Sequence, residues 1–169
     1  MKQILLLNPE NVSEEEVETY PVREAARAIV LDSEGKVALL HVSKKNYYKL
    51  PGGGLEGNED RQVALQRECK EEIGCEIEVL GEVGSIVEYR KIFSLKQISY
   101  CYFGNVKGEK GTPEFTGEEI TDEFKEVWVS YDEALRLMRE SKATDIEGSD
   151  YIVPRDIALL EAAKDLQKR

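Results

Sequence analysis

Residues 53–75 read GGLEGNEDRQVALQRECKEEIGC, a glycine-rich turn followed by a run with helical character. Residues 58–73 contain no proline and only two β-branched residues, so they are predicted to form a helix. Asn58 is a suitable N-cap, and Glu59 would then lie in the first turn, where the helix dipole favours negative charge. Gly74 is predicted to end the helix, because glycine readily adopts the left-handed conformation found at helix C-termini.

The predicted helix carries different side chains on neighbouring faces. Leu65, Cys69 and Ile73 are spaced four residues apart and form a narrow apolar stripe that is expected to face the core. Glu68 and Glu72 are also four residues apart, and like charges at that spacing destabilise an isolated helix by roughly 0.2–0.5 kcal/mol. A divalent cation would reverse the sign of this interaction, and Mg²⁺ takes carboxylate oxygens while it also binds substrate phosphates. The pattern indicates either a metal site or a solvated acidic face.

The spacing of this segment resembles the signature of the Nudix hydrolases, G-x5-E-x7-R-E-U-x-E-E-x-G-U, in which U is an aliphatic residue. The chain carries the expected residue at each fixed position of the signature, namely Gly53, Glu59, Arg67, Glu68, Glu71, Glu72 and Gly74. With each residue type at roughly one in twenty, the chance of such a match is far below about one in a million. Cys69 and Cys75 stand at the aliphatic positions, where a buried cysteine packs as a small hydrophobic residue.

The resemblance implies hydrolysis of a pyrophosphate bond in a nucleoside diphosphate that is linked to another group, with Mg²⁺ or Mn²⁺ as the cofactor. Position by position, it makes Glu68 and Glu72 the principal metal ligands. Glu71 is implied to bind a second ion or to help deprotonate the attacking water. The carbonyl of Gly52, directly before the signature, is implied as a further metal ligand.

Arg67 is predicted to act through the acidic residues. The resemblance implies a salt bridge between Arg67 and Glu59, which stands eight residues earlier in the chain. That pair would orient Glu68 and Glu71. Arg67 is therefore included in the catalytic apparatus without a contact to the substrate.

The general base is predicted to lie outside the signature. Some family members take this base from a loop that precedes a late tryptophan, and here that loop is residues 118–123, before Trp128. Glu123 is the predicted base, and Glu118 and Glu119 are close alternatives. A solvated acidic loop would explain the same residues.

Three residues outside the signature are predicted to contact the substrate. Arg27 interrupts an apolar strand and either contacts a phosphate or base at the open end of the sheet or faces outward on an edge. Lys44 is near the predicted phosphate position, although it also fits a solubilising loop charge. Tyr48 stands where many relatives have an aromatic residue before Leu-Pro-Gly-Gly, and it either packs in the core or stacks on a base.

The order of predicted elements gives the fold class, α/β. A turn at residues 32–35 joins two predicted strands into a hairpin, and other strands and helices follow the acidic helix. The predicted strands are 24–32, 36–42, 76–89, 97–107 and 125–130, and the predicted helices are 58–73, 132–141 and 156–166. This order matches the Nudix-type α/β/α sandwich with a mixed β-sheet that the resemblance implies. We expect a single domain over residues 1–169, with its core at about 24–141.

Composition limits the class of partner. The chain has 169 residues with 23 basic and 34 acidic side chains, a net charge of -11, which argues against broad binding to nucleic acid or to anionic membranes. A small phosphorylated nucleotide remains compatible, because metal ions can bridge it to acidic residues. The three cysteines are expected to be free thiols, and the absence of a long apolar run or export signal favours a cytoplasmic protein.

Two other functions fit the same fold. A Nudix-fold module that senses a nucleotide without hydrolysing it is expected to have lost signature glutamates, and this chain has kept them. An isoprenyl diphosphate isomerase would require a catalytic cysteine and a degenerate signature. A metal-dependent pyrophosphohydrolase is therefore the main prediction, with a homodimer as a further expectation from the family.

Overall fold

The computed structural model describes residues 1–164 and 166 of the chain. The strands are β1 (Gln3–Leu7), β2 (Val22–Leu31), β3 (Val37–Val42), β4 (Tyr47–Lys49), β5 (Gly52–Gly54), β6 (Glu76–Arg90), β7 (Leu95–Lys107) and β8 (Phe124–Val129). The helices are α1 (Glu14–Val17), α2 (Arg61–Ile73), α3 (Gly117–Thr121), α4 (Tyr131–Glu140) and α5 (Val153–Ala163), and a π-helical turn (Glu147–Ile152) leads into α5. Residue 165 of the helix predicted at 156–166 lies outside the described residues.

The eight described strands form one mixed sheet. Its main path runs β1-β6-β7-β2-β3-β4, with β5 paired to β2 and β8 paired to β3. The pairs β1–β6 and β2–β7 are parallel, whereas β6–β7 and β3–β8 are antiparallel. The predicted hairpin of β2 and β3 is present and pairs Leu31 with Val37. Since β2 lies between β7 and both β3 and β5, residues on β2 occupy the centre of the sheet.

Helices cover both faces of the sheet, so the predicted α/β/α sandwich is confirmed. Alternate residues of β2 point to opposite faces, as expected of a strand buried on both sides. Ile29 and Leu31 pack in a core with α4 and α5, whereas Ala28 and Val30 pack in a second core with α2. None of the helices in the described part of the chain combines the length and apolar character needed to span a bilayer.

The start of α2 differs from the prediction. Asp60 is the N-cap, and its side chain accepts a 2.8 Å hydrogen bond from the Gln62 N–H. The predicted cap at Asn58 is therefore wrong, and Glu59 precedes the helix instead of lying in its first turn. Asp60 satisfies a free helical N–H group, and Glu59 is thereby left available for a partner outside the helix. The predicted end is confirmed, because Gly74 has a φ of 65°.

Candidate active site

The glycine-rich turn lies between β2 and the acidic side chains of α2. Gly52 and Gly53 pair with Arg27 and Ala26 of β2. A Cβ atom at Gly52 would clash with the backbone of Ala26, and one at Gly53 would clash with the carboxylate of Glu68. Glycine is therefore required at position 52, whereas a side chain at position 53 would displace the Glu68 carboxylate, so both glycines keep the backbone of β5 close to the acids of α2.

Three carboxylates converge beside this turn. Glu68 and Glu72 are buried on α2, and Glu119 reaches them from the short helix α3. One carboxylate oxygen from each of the three residues lies within 4.8 Å of the others. Like charges at this separation repel each other, and a hard divalent cation that takes oxygen ligands would remove the repulsion. The donor set is therefore suited to Mg²⁺ or Mn²⁺.

Glu72 is held by two partners from the segment before α2. The Gly52 N–H donates a 2.6 Å hydrogen bond to its Oε2 atom, and the Lys49 ammonium lies 3.1 Å from its Oε1 atom. Burial nevertheless raises the pKa of Glu72 to about 7, because desolvation outweighs the favourable charge of Lys49. A cation bound at this carboxylate would favour its ionised form.

Arg67 links the acids of the signature to one another. Its Nε and Nη2 atoms donate to the two carboxylate oxygens of Glu59 at 2.8 and 3.0 Å, so the predicted salt bridge is present. Its Nη1 atom donates to Glu68 at 2.9 Å and, more weakly, to Glu71 at 3.4 Å. The hydrogen bonds from Arg67 lower the pKa of Glu59 to about 2. The Arg67 guanidinium thus holds the Glu68 carboxylate of the cluster in place.

Glu71 lies at the periphery of the cluster. Its side chain is one-third exposed, at 34%, and burial raises its pKa while the charge of Arg67 lowers it. Glu71 does not line the cavity that the glycine turn and the other acids form. The prediction that it binds a second ion or assists the attacking water remains a prediction.

The glycine turn and the acids open into a cavity of about 260 Å³. Its wall includes four of the predicted site residues, namely Arg27, Gly52, Glu68 and Glu72. The other predicted residues do not line it, and these are Lys44, Tyr48, Arg67, Glu71 and Glu123. Arg27 is buried in the central strand β2 and donates to the Gly52 carbonyl, so the alternative of an outward-facing arginine on an edge is wrong.

The structure places Tyr48 and Lys44 away from the cavity. Tyr48 stacks on His41 with ring centroids 4.4 Å apart, whereas its neighbours on β4, Tyr47 and Lys49, line the cavity from the other face of the strand. Lys44 is exposed, and its ammonium lies 3.4 Å from the Thr121 carbonyl. Tyr48 does not line the cavity because side chains alternate along a strand, so that residues 47 and 49 lie on one face of β4 and residue 48 lies on the other.

The acidic loop contributes Glu119 to the cluster instead of Glu123. Glu119 lies in α3, where its carboxylate also accepts a 2.8 Å hydrogen bond from the Thr116 N–H. Glu123 follows α3, has a φ of 55° and is exposed. Glu118 and Glu119 both line the cavity. The geometry therefore favours Glu118 and Glu119, the two alternatives from the sequence, over Glu123 as the general base.

Sequence reasoning missed half of the basic wall of the cavity. The sequence places Lys45 beside Lys44 near the predicted phosphate position and Arg90 in a loop expected to set specificity, but it does not single out Arg23, Lys49 or Arg155, which also line the cavity. Lys49 could have been found from the two-residue alternation of β4. Arg155 could not, because it comes from α5, more than a hundred residues after the glycine turn, and no local pattern links the two.

Comparisons with known proteins agree with this geometry. The NUDIX domain family matches residues 21–148. The solution structure of the E. coli ORF135 protein is 25% identical, with a TM-score of 0.57, and the match covers 89% of this chain and 94% of that one. A NUDIX hydrolase from Nitrosomonas europaea is 18% identical with a TM-score of 0.64, covering 87% and 91% of the two chains. The C. elegans Ap4A hydrolase is 15% identical with a TM-score of 0.59, covering 86% and 98%. No curated protein matches the sequence.

The chain belongs to the Nudix family, because the family match covers most of its length and its fold is shared with these structures. Members of this family are hydrolases that act on pyrophosphate bonds, and they generally use divalent metal ions. The two structures below 25% identity support the fold alone. Membership of the family does not identify the substrate of this chain, which depends on the residues that line its own cavity.

Proposed function

We propose that this protein is a Mg²⁺-dependent pyrophosphohydrolase, with Mn²⁺ as an alternative ion, that cleaves a nucleoside diphosphate linked to another group. The observation that carries the proposal is the convergence of Glu68, Glu72 and Glu119 within 4.8 Å beside the glycine turn. ADP-ribose, a nucleotide sugar and a nucleoside triphosphate all contain the required bond. The partner is accordingly a small nucleotide.

Residues of α2 and α3 would hold the ion. Glu68, Glu72 and Glu119 supply carboxylate oxygens, and the Gly52 carbonyl lies in the same wall, where it now accepts hydrogen bonds from Arg27 and Lys49. When bound, the ion neutralises phosphate charge and lowers the pKa of a water nucleophile. The ligands fit the ion because carboxylates and carbonyls are the oxygen donors that Mg²⁺ prefers.

The remaining residues of the site position and neutralise the reacting groups. Arg67 holds Glu68 in place through a 2.9 Å hydrogen bond. Arg27 and Lys49 line the cavity and offer positive charge to the phosphates, as fixed donors do in phosphoryl transfer. Glu119 serves either as the third ligand of the ion or as the acceptor of the proton from the attacking water, and in the second role we favour it over Glu123, with Glu71 as the remaining candidate. Lys44 and Tyr48 have no role in this proposal.

The test is the substitution Glu72→Gln. We expect it to keep the fold and to reduce turnover by at least about a hundredfold, because removal of one buried carboxylate weakens the ion site and the electrostatic stabilisation that it provides. Hydrolysis is measured with Mg²⁺ over a panel of nucleoside diphosphate derivatives, with mass detection of the products. The matched control is Glu76→Gln, an exposed acid that stands just after α2.

Near-native activity in Glu72→Gln would contradict the metal assignment. Nucleotide binding by the unaltered protein without any product across the panel would instead favour the non-catalytic sensing module. Glu76→Gln is expected to behave as the unaltered protein does in both measurements. A loss of activity in this control would indicate a nonspecific effect of lost negative charge.

A further inference from the structure

The cavity contains a cluster of three buried arginines, and the proposed hydrolysis uses Arg27 but not Arg90 or Arg155. Arg27 comes from β2, Arg90 from the end of β6 and Arg155 from α5, and all three line the cavity. Their exposures are 5%, 3% and 1%. The carboxylates of the ion site come from other elements, α2 and α3, and Arg27 connects them to the arginine cluster because it donates to the Gly52 carbonyl.

Several guanidinium donors in the cluster have no hydrogen-bond acceptor among the described residues. They are the Nε atoms of Arg27 and Arg90 and both Nη atoms of Arg155. The Glu88 carboxylate lies 3.8 Å from the Arg155 Nη1 atom, which is too long for a hydrogen bond. A buried donor without an acceptor costs roughly 1–3 kcal/mol, and more when it is charged, so each such group requires an explanation.

The buried acids near the cluster accept hydrogen bonds from other donors, and not from these Nε and Nη atoms. Glu88 accepts from the Arg90 Nη2 atom at 2.9 Å and from Gln97 at 2.7 Å. Asp156 accepts from the Arg155 Nε atom at 2.6 Å and from the Leu50 N–H at 2.8 Å. Both acids are fully buried, whereas Glu147, which pairs with Arg90 at 2.8 Å, is 40% exposed at the rim. Glu72 is also buried and its charge acts on Arg27, so three buried carboxylates accompany the three guanidinium groups, and yet the donors named above remain without an acceptor.

Two of the guanidinium charges also act on each other. Burial, together with the nearby charge of Arg155, lowers the pKa of Arg27 to about 10. The whole chain carries a net charge of -11, so this is a local concentration of cations in an acidic protein. An anion bound by the three arginines would reduce the repulsion between their charges, and it would accept hydrogen bonds from the donors that lack an acceptor.

We propose that Arg27, Arg90 and Arg155 bind an additional phosphoryl group of the substrate, one beyond the two joined by the cleaved bond. This inference rests on the proposed function and narrows its substrate class. Guanidinium groups present several N–H donors in a planar fork that matches phosphate oxygens, and a phosphoryl group offers three such oxygens with up to two negative charges. A neutral sugar would satisfy fewer donors and would not reduce the repulsion between Arg27 and Arg155. The protein thus prefers substrates with three or more linked phosphates.

The test compares two inorganic ligands that cannot be cleaved readily, imidodiphosphate and diimidotriphosphate, which differ by one phosphoryl group. Affinities are measured by calorimetry with Mg²⁺ present, on the unaltered protein and on Arg155→Gln, Arg155→Lys and the control Arg139→Gln. Arg139 is exposed and pairs with Glu161 on the surface. We expect the unaltered protein and the control to bind the longer ligand at least tenfold more tightly. Arg155→Gln should lose this preference, and Arg155→Lys should retain part of it.

A second measurement does not depend on the folding of any variant. In the unaltered protein, the ¹⁵N resonances of the Arg155 guanidinium should shift with diimidotriphosphate and stay in place with imidodiphosphate. Equal affinity for the two ligands, or no shift of these resonances, would overturn the arginine proposal. Because these ligands report binding alone, that result leaves the hydrolysis test unaffected. Absence of hydrolysis with the ligand preference intact would instead overturn only the proposed function.

Discussion

At the scale of single residues, the candidate site is defined by buried acids that keep specific partners. Glu72 is 2% exposed, yet it receives the Gly52 N–H and the Lys49 ammonium. A buried carboxylate without such partners would be strongly destabilising. Lys49 therefore offsets the charge of Glu72, and the same ammonium would be available to a phosphate once a metal ion binds Glu72.

The pair of Glu59 and Arg67 predicts a specific dependence of stability on pH. The pKa of Glu59 is lowered from its ordinary value of 4.5 to about 2, so the pair stabilises the fold fully above pH about 4.5 and loses this contribution as the pH falls through about 2. We expect Glu59→Gln to lower the free energy of unfolding near neutral pH. The difference from the unaltered protein should shrink below pH about 4.5 and vanish near pH 2, as measured by urea denaturation across this range.

A difference that stays constant from pH 7 to pH 2 would contradict this account of the pair. Such a result would mean that Glu59 contributes through packing or polarity and not through its ionised carboxylate. The control is Glu56→Gln, because Glu56 is mostly exposed and lies 3.8 Å from Arg67. A surface ion pair of this kind contributes little, so the control should show a difference close to zero at every pH.

At the scale of elements, local patterns predicted α2 and most strands, and they failed where two residues offered the same local signal. Asn58 and Asp60 are both good N-cap residues, and the sequence alone could not choose between them. In the structure, Glu59 turns back to Arg67, so the helix begins two residues later than predicted. The end of the helix at Gly74 was predictable because only glycine takes that backbone conformation without strain.

The position of the cap gives a paired prediction. Asp60→Ala should lower the free energy of unfolding by about 1 kcal/mol, because the Gln62 N–H loses its acceptor. Asn58→Ala should change it by less than about 0.5 kcal/mol, since Asn58 is exposed and lies outside the helix. Denaturant unfolding of both variants at neutral pH measures the two values. A larger loss for Asn58→Ala than for Asp60→Ala would contradict the observed helix start.

At the scale of the whole molecule, the candidate site is assembled from segments that are distant in sequence. The glycine turn, α2, α3 and α5 each contribute to one cavity wall. The signature predicted the acidic part, because those residues are adjacent on one helix. The basic part depends on where β6 lies in the sheet and on how α5 packs against that sheet, which no spacing in the sequence specifies. A homodimer and a cytoplasmic location stay predictions.

Asp156 connects α5 to the glycine turn across the molecule. It is fully buried and accepts from the Leu50 N–H, one residue before Pro51 and the glycines, as well as from Arg155. Asp156→Ala should lower the free energy of unfolding by about 3–5 kcal/mol, because it leaves a buried guanidinium without its partner. Glu161→Ala on the same helix should cost less than about 1 kcal/mol, because its pair with Arg139 lies on the surface.

Urea denaturation of both α5 variants measures these losses. Equal losses for Asp156→Ala and Glu161→Ala would show that the buried connection contributes no more than a surface ion pair. Hydrolysis by Asp156→Ala, assayed below its unfolding transition, provides a second readout. We expect turnover to fall in this variant and not in Glu161→Ala, because the backbone before the glycine turn loses its acceptor.

The most direct measurement of the central claim is a crystal structure with Mn²⁺ and imidodiphosphate, in which anomalous scattering locates the ion. We predict an ion at about 2.0–2.3 Å from carboxylate oxygens of Glu68 and Glu72, with the diphosphate analogue bound to the same ion. An ion-free cluster in the presence of both ligands, with these carboxylates turned away from the analogue, would contradict the claim.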